Sequence, residues 1–177
     1  MVPAAPDPVK LIAALLWRDD DALAEALALL RECFGDTDHV GAVHPFDHTP
    51  YYEREMGTGL KKRIVSFGPL IAPEDLVEKK LAALRVEDAC RGSDGGRRVN
   101  VDPGYLDIHK VVLASVKSGG PKIYLGRGVY ADLVTRYSSG KFVPWDWTFT
   151  DYKAGRYDAD FLKLRRLYKA CLARGGA

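Results

Sequence analysis

The sequence contains few cysteines, and their positions exclude the usual roles of paired thiols. Its 177 residues include only Cys33, Cys90 and Cys171, and no two of them form a C-x-x-C pair. An odd number of widely spaced cysteines is not typical of a disulfide framework or a zinc site. We therefore expect free thiols in a reducing cytoplasm.

An excess of charge of one sign and a long apolar run are also lacking. The 26 basic and 24 acidic residues give a net charge of +2, which does not indicate a surface for nucleic acid or anionic lipid. The apolar run Leu11–Trp17 is too short to span a bilayer, and no basic stretch precedes it as in a signal peptide. These absences predict a cytoplasmic protein with neither a membrane nor a nucleic-acid partner.

Two widespread enzyme signatures are absent as well. The chain has no G-x-x-x-x-G-K-[ST] phosphate loop and no G-x-S-x-G nucleophile elbow. The nearest glycine pattern, Gly126-Arg127-Gly128, lacks the lysine and the helix that a phosphate loop requires. Neither an ordinary P-loop nucleotidase nor an ordinary serine hydrolase is indicated.

The composition is that of a globular protein, with 47% hydrophobic and 28% charged residues. This length is enough for one domain with a real core and too short for two comfortable ones. The first eight residues contain three prolines. We therefore predict a flexible leader over residues 1–8 and a single domain over residues 9–177.

The hydrophobic pattern mixes strand–helix units with a later run of hairpins. Helical spacing predicts one helix from Asp19 or Asp20 to Gly35, a second from Pro73 to before Gly92, and a third over Asp160–Ala173. Alternating or apolar runs predict strands at Val9–Trp17, His39–His44, Lys61–Phe67, Val99–Asp102, Val111–Val116, Lys122–Leu125, Val129–Tyr137 and Lys141–Val143. This order predicts an α+β domain in which about three helices pack against a mostly antiparallel or mixed sheet.

A turn is predicted where the strand after Arg97-Arg98 ends, at Asp102-Pro103-Gly104-Tyr105. Proline suits the second position of a type II turn, and glycine accepts the positive φ of the third. Asn100 lies two residues before Asp102, so both side chains share one face of the strand. Polar groups at the end of a strand are typical of a binding site.

Three aspartates, Asp47, Asp102 and Asp151, each lie near a tyrosine at the end of a segment. Carboxylates that converge in a cleft raise one another's pKa, which suits acid–base catalysis. We predict Asp47 and Asp102 as catalytic groups or as holders of Mg²⁺, and Asp151 as a ligand-binding residue. The alternative is that each aspartate accepts a backbone N–H at a turn.

Basic and aromatic side chains complete the predicted site. An arginine on a strand binds phosphate or carboxylate through its planar fork, although an ion pair with an acidic residue is the alternative for each one. Tyrosines stack on ligands or donate to them, although they more often lie half-buried in a core. The predicted ligand-binding residues of these kinds are Arg98, Arg127, Arg136, Tyr51, Tyr52, Tyr105 and Tyr130, together with Asn100.

A metal site on His44 and His48 is a weaker hypothesis. The H-x-x-x-H spacing binds zinc when a helix places both histidines on one face. Pro45 and Pro50 disfavour a helix here. We predict no metal ligands among these histidines.

Several short segments of the chain together form a recognisable set of motifs. They are Pro45-Phe46-Asp47, Thr49, Tyr51-Tyr52, Glu55-Met56-Gly57, Arg98-Val99-Asn100, Asp102-Pro103-Gly104-Tyr105-Leu106, Tyr124-Leu125-Gly126, Gly128, Tyr130-Ala131 and Asp151-Tyr152. In these segments the chain resembles the domain of unknown function 4416 family, a group of uncharacterised prokaryotic proteins, and the resemblance extends over nearly the whole chain. The resemblance implies no established activity. Some members are loosely described as GTP-binding, but this sequence has no phosphate loop to support that description.

Two functions follow from these patterns. The first is binding of a small anionic ligand, such as a phosphate-bearing nucleotide or metabolite, in a pocket at the strand ends, with or without chemistry on it. The second is a non-catalytic interaction module. In that case the aromatic segment 142–152 docks a protein partner or a second copy of the chain.

Overall fold

A computed structural model describes residues 2–175 and shows one antiparallel sheet with helices on both faces. The strands are β1 (Val9–Trp17), β2 (Thr37–Val40), β3 (His44–Pro45), β4 (Lys61–Ile71), β5 (Val99–Leu106), β6 (Lys110–Ser115), β7 (Ile123–Gly126), β8 (Val129–Ser138) and β9 (Lys141–Pro144). The helices are α1 (Asp20–Phe34), α2 (Glu53–Met56), α3 (Leu76–Ala89), α4 (Thr150–Lys153) and α5 (Asp158–Gly175). A 3-10 turn, Pro73–Asp75, leads into α3.

The sheet is ordered β2-β4-β1-β5-β6-β8-β7, with β3 beside β4 and β9 beside β8. Every strand pair is antiparallel. This architecture confirms the α+β prediction, including a mostly antiparallel sheet and three helices of substantial length.

Strand β1 is central, and all nine of its residues are buried. Alternate side chains serve two cores, because successive residues of a strand point to opposite faces. Leu11 and Leu15 pack with α1 and α3 on one face, whereas Ile12 and Ala14 pack with α5 on the other. The continuous apolar run Leu11–Trp17 within β1 therefore reflects a strand that is covered on both sides.

The helix predicted from Asp19 or Asp20 to Gly35 is confirmed. Asp19 is the N-cap, and its side chain accepts the backbone N–H of Asp21. Gly35 follows the helix with a φ of 90°, a conformation that favours glycine. Both ends are therefore fixed by local chemistry that the sequence displays.

Several predicted boundaries differ from the structure, and β4 continues four residues beyond the predicted Lys61–Phe67. The single strand expected over His39–His44 is two short strands, β2 and β3, separated at Gly41. A Cβ at Gly41 would lie 2.7 Å from the carbonyl oxygen of Ile64, so the chain passes too close to β4 for a side chain. The last helix begins two residues earlier and ends two residues later than Asp160–Ala173.

The turn predicted at Asp102–Tyr105 is wrong, because β5 continues through all four residues and pairs with β1 from Val99 to Leu106. Gly104 serves close packing rather than a positive φ, since a Cβ there would lie 2.2 Å from the carbonyl oxygen of Val112 on β6. The Val101 carbonyl and N–H bond α3, and Pro103, two residues later, faces the same way. Pro103 is tolerated because its missing N–H would lie on this side, where β6 does not pair with β5 before Gly104.

The described part of the chain contains no helix long and apolar enough to cross a membrane. Residues 2–8 precede β1 without regular secondary structure, and the carbonyl of Pro8 accepts the Tyr168 hydroxyl at 2.8 Å. Residue 1 of the predicted leader and residues 176–177 of the predicted domain lie outside the described residues. The division at residue 9 stays a prediction.

The contact at Gly104 generates a test of the packing between β5 and β6. We expect Gly104→Ala to lower the free energy of unfolding by about 3 kcal/mol, because the new methyl group meets backbone atoms that cannot move aside. Urea denaturation measures the change. Gly68→Ala is the matched control, since a Cβ there has its nearest neighbour at 3.6 Å. Equal stability of the two variants would contradict the close contact.

Candidate functional site

The site begins where β5 and β6 separate. The two strands pair only between Gly104–Leu106 and Val111–Leu113. On the N-terminal side of Gly104, helix α3 replaces the missing strand: Lys80 Nζ donates to the Val101 carbonyl at 2.9 Å, and the Val101 N–H donates to Glu87 Oε1 at 2.8 Å. The two side chains are two helical turns apart, so they reach the backbone of β5 from one face of α3.

A cavity of about 530 Å³ lies at this separation. Its walls come from β1, β4, the connection after β3, α3, β5, β6, the segment after β6, β8 and α4. The lining residues that carry the argument below are Phe46, His48, Tyr51, Tyr52, Lys62, Lys80, Glu87, Arg97, Asn100, Asp102, Ser115, Lys117, Ser118, Lys122, Asp132, Phe149, Asp151 and Tyr152.

Asp102 lies on the β5 wall of the cavity and is held by two partners. Lys80 Nζ donates to Oδ1 at 2.9 Å, and the Asn100 amide donates to Oδ2 at 2.8 Å. Burial opposes ionisation of this carboxyl, but the charge and hydrogen bond of Lys80 prevail and lower its pKa. Asp102 is therefore a carboxylate at neutral pH.

Asp151, the second carboxylate of the cavity, is buried and belongs to α4. Lys62 Nζ donates to Asp151 Oδ2 at 2.7 Å, and the Tyr157 hydroxyl donates to the same oxygen at 3.2 Å. The ammonium of Lys62 also lies 4.3 Å from the ring centroid of Tyr152 and 5.4 Å from that of Phe46. Cation–π contacts and an ion pair thus fix the Lys62 side chain.

His48 stands between two aspartates. Its Nδ1 lies 3.1 Å from Asp47 Oδ1, a distance that fits Nδ1–H donating to the carboxylate, and its Nε2 lies 3.9 Å from Asp151 Oδ2. The Arg156 guanidinium donates to Asp47 and lowers the pKa of that carboxyl. Within residues 2–175, His48 Nε2 and the Tyr152 hydroxyl are buried without a hydrogen-bond partner. Such atoms are rare in folded proteins.

Arg97 connects three elements at the other side of the cavity. It donates both arms of its fork to Glu55 of α2, at 2.7 and 2.6 Å, and also bonds Asn100 at 2.8 Å. Glu87 Oε2 lies 3.4 Å from Arg97. Burial raises the pKa of Glu87 despite Lys80, Arg97 and the Val101 N–H. Ionisation of Glu87 therefore destabilises the folded state, and this destabilisation grows as the pH rises and the carboxyl loses its proton.

The chain belongs to the family described as a domain of unknown function (DUF4416). The model of that family matches residues 7–168 of this chain. No curated protein and no solved structure matches it.

Many of the residues by which the chain resembles this family meet at the cavity. Among the predicted site residues, the structure brings together Asp102 and Asp151 with Asn100, Tyr51 and Tyr52. They come from β5, α4 and the connection after β3, so the convergence is a product of the tertiary fold. Phe46, Thr49 and Tyr152 from the same family segments also line the cavity.

The structure places the remaining predicted residues elsewhere. Asp47 contacts the cavity only through His48, and Tyr105 packs on the opposite face of the sheet against the α1 and α3 cores. Tyr130 packs on Tyr124, with ring centroids 5.1 Å apart. The three predicted arginines are also engaged outside the cavity: Arg98 with Asp19 and Glu25, Arg127 with Glu78, and Arg136 over the Trp145 ring.

The basic residues that do line the cavity were missed in the sequence. Lys80 had a visible signal, because it occupies the apolar stripe of α3 and is only 3% exposed. The signal for Lys62 was weaker: it shares one face of β4 with Ile64 and Ser66, two and four positions later. Arg97 precedes the first residue of β5, where strand alternation does not apply.

No three histidine, cysteine, aspartate or glutamate side chains of residues 2–175 are grouped so that they could hold a metal ion. The carboxylates proposed as Mg²⁺ holders, Asp47 and Asp102, already accept hydrogen bonds from Arg156 and Lys80. The arrangement offers paired charges and hydrogen-bond donors rather than a set of free oxygen ligands.

The raised pKa of Glu87 predicts a pH-dependent stability. A buried carboxyl whose folded pKa exceeds the unfolded value near 4.5 binds its proton more tightly in the folded state, so stability falls as pH rises through that range. We expect Glu87→Gln, which lacks this titration, to gain stability relative to wild type between pH 4.5 and 7.5. Urea denaturation at both pH values measures it. Glu32→Gln, at an exposed position of α1, is the control; an identical pH response in both variants would refute the assignment.

Proposed function

We propose that this protein binds a small anionic molecule, such as a phosphate-bearing nucleotide or metabolite, in the cavity between β5 and β6. The observation that carries the proposal is the convergence of five basic side chains on one cavity from separate parts of the chain. They are Lys62 of β4, Lys80 of α3, Arg97 before β5, and Lys117 and Lys122 after β6.

The charge balance of the lining favours an anion. Four carboxylates, those of Glu87, Asp102, Asp132 and Asp151, line the cavity with the five basic groups, and Glu55 outside the lining pairs with Arg97. Burial raises the pKa of Glu87 and Asp132, so these two carboxyls resist carrying a negative charge. Ionising Glu87 and Asp132 costs free energy because both are buried. An anion that enters the cavity can balance the basic groups in their place.

The size and the walls of the cavity suit an organic molecule. Pockets for metabolites and drug-sized ligands typically have volumes of about 300–1,000 Å³ and mostly apolar walls. Leu16 and Leu113 contribute apolar surface here, and Phe46, Tyr52 and Phe149 contribute aromatic rings. A ligand with a flat or apolar body and a charged group matches this combination.

The same cavity holds the groups that chemistry on the ligand would need. Asp102, with its lowered pKa, is a carboxylate that can accept a proton or a hydrogen bond. The unpartnered His48 Nε2 lies beside Asp151, and the Tyr152 hydroxyl is also unpartnered. We propose that turnover, where it occurs, uses these groups, with Asp47 acting through His48.

A cytoplasmic location and a prokaryotic origin belong to the same proposal. Cys33, Cys90 and Cys171 are free thiols, and Cys90 is buried. Free thiols are typical of a reducing compartment. The prokaryotic origin rests on the resemblance to the family.

A second candidate function rests on the aromatic segment 142–152. Trp147 and Phe149 are 44% and 58% exposed. Their exposure fits a surface that docks a second copy of the chain. The stacked rings of Trp145 and Trp147, 5.2 Å apart, and the bond from Trp147 Nε1 to the Leu133 carbonyl hold the segment against the domain.

A thermal-shift screen tests the proposed ligand class. The panel contains nucleoside mono- and triphosphates, sugar phosphates and dicarboxylates. A ligand at about one hundred times its Kd stabilises the folded state by about 2.7 kcal/mol. In a protein of this size we expect the melting temperature to rise by about 5–10 °C.

A pair of leucine substitutions shows whether the ligand occupies the cavity. Leu84 lines the cavity from α3, so Leu84→Trp fills part of it and should abolish the shift. Leu125→Trp makes the same change at an exposed position of β7 and should preserve it. The proposal fails if no compound raises the melting temperature, or if the shift survives in Leu84→Trp.

The second candidate function predicts a dimer that depends on the aromatic segment. In that case the wild-type chain sediments as a dimer at micromolar concentration, and the double variant Trp147→Ala, Phe149→Ala sediments as a monomer. Analytical ultracentrifugation distinguishes the two species. A monomeric wild-type chain rules out self-association through this segment.

A further inference from the structure

The segment Ser115–Lys122, which connects β6 to β7, forms one rim of the cavity. We call it the β6–β7 loop. Residues 115–118 and Lys122 line the cavity. The loop has the sequence Ser-Val-Lys-Ser-Gly-Gly-Pro-Lys, so it brings two lysines and two serines to the cavity from one short segment.

The lysines of the cavity differ in how fully their charges are neutralised. Lys62 and Lys80 donate to carboxylate oxygens at 2.7 and 2.9 Å. Lys117 has no carboxylate oxygen within 4.0 Å in the part of the chain that the structure describes. Its ammonium lies 3.9 Å from the ring centroid of Tyr51. Lys117 is therefore the cation most available to an incoming anion.

Lys122 is only weakly paired. Its Nζ donates to Ser115 Oγ at 2.9 Å and lies 3.5 Å from Asp132 Oδ2. Burial raises the pKa of Asp132, which weakens this carboxyl as a counterion. A stronger anion within reach would attract Lys122 more than Asp132 does.

Two glycines allow the loop to present both lysines. Gly119 and Gly120 have φ values of 112° and 59°, in the region where side chains are disfavoured. A Cβ at either position would have no neighbour within 4 Å. The chain thus turns between Lys117 and Lys122 with open space beside it.

We propose that the β6–β7 loop is the phosphate-binding element of the cavity. Lys117 and Lys122 supply the positive charge, and the hydroxyls of Ser115 and Ser118 supply directional hydrogen bonds. Two ammonium groups and two hydroxyls match the charge and several oxygens of a phosphate better than the two oxygens of a carboxylate. This inference rests on the proposed function and names its ligand class.

Isothermal titration of the full chain tests the inference, with pyrophosphate as the phosphate probe and citrate as the carboxylate probe. We expect pyrophosphate to bind more tightly than citrate. Lys117→Met and Lys122→Met should each weaken pyrophosphate binding about tenfold, because each removes a charge-assisted hydrogen bond. Lys117→Arg should retain most of the affinity. Lys141→Met, at an exposed position of β9, should bind like wild type.

Circular dichroism and melting temperatures confirm that each variant is folded. The inference is overturned if pyrophosphate does not bind, if citrate binds at least as tightly, or if both methionine variants keep the wild-type affinity. The proposed function has a separate test. Even if the inference about the loop is overturned, the proposed function stands when a compound of the thermal-shift panel binds and Leu84→Trp abolishes that binding. The proposed function fails if no compound behaves in this way.

Discussion

The structure depends on the way α3 completes the hydrogen bonding of β5. A strand in the middle of a sheet needs a partner on each side, yet β6 pairs with β5 only from Gly104 to Leu106 and leaves Val99–Pro103 without a strand on that side. Lys80 and Glu87 satisfy the carbonyl and the N–H of Val101 instead. The sheet can therefore open without leaving the Val101 groups unsatisfied, and the opening is the cavity. The side chains that hold the fold together here are also part of the lining of the site.

Most of the fold was predictable because its signals are local. The apolar run Leu11–Trp17 of β1 and the Asp19 and Gly35 caps of α1 depend on neighbouring residues only. The turn predicted at Asp102–Tyr105 failed because proline and glycine there serve a long-range arrangement. Pro103 lies where no N–H is needed, and Gly104 admits the backbone of β6. Sequence alone does not distinguish a glycine required by φ from one required by a neighbouring strand.

The site was predictable only in part, for the same reason. Asn100 and Asp102 were identified because they lie two positions apart on one strand and so share a face, and they do hydrogen-bond to each other. Arg127 was predicted as a ligand-binding residue, yet it pairs with Glu78 away from the cavity. Lys117, which does line the cavity, was not predicted. The divergence of β5 and β6 decides which cations point into the cavity. No local pattern in the sequence encodes that divergence.

The central position of β1 has a consequence for synthesis on the ribosome. Its nine buried residues leave the exit tunnel before either neighbour exists, because β4 begins at Lys61 and β5 at Val99. A nascent apolar strand without its partners is prone to aggregate. Translation must therefore continue to Ile71 before β1 gains a complete first neighbour and to Leu106 before it gains its second. A chaperone that shields β1 would be needed until the second half of the chain is being made.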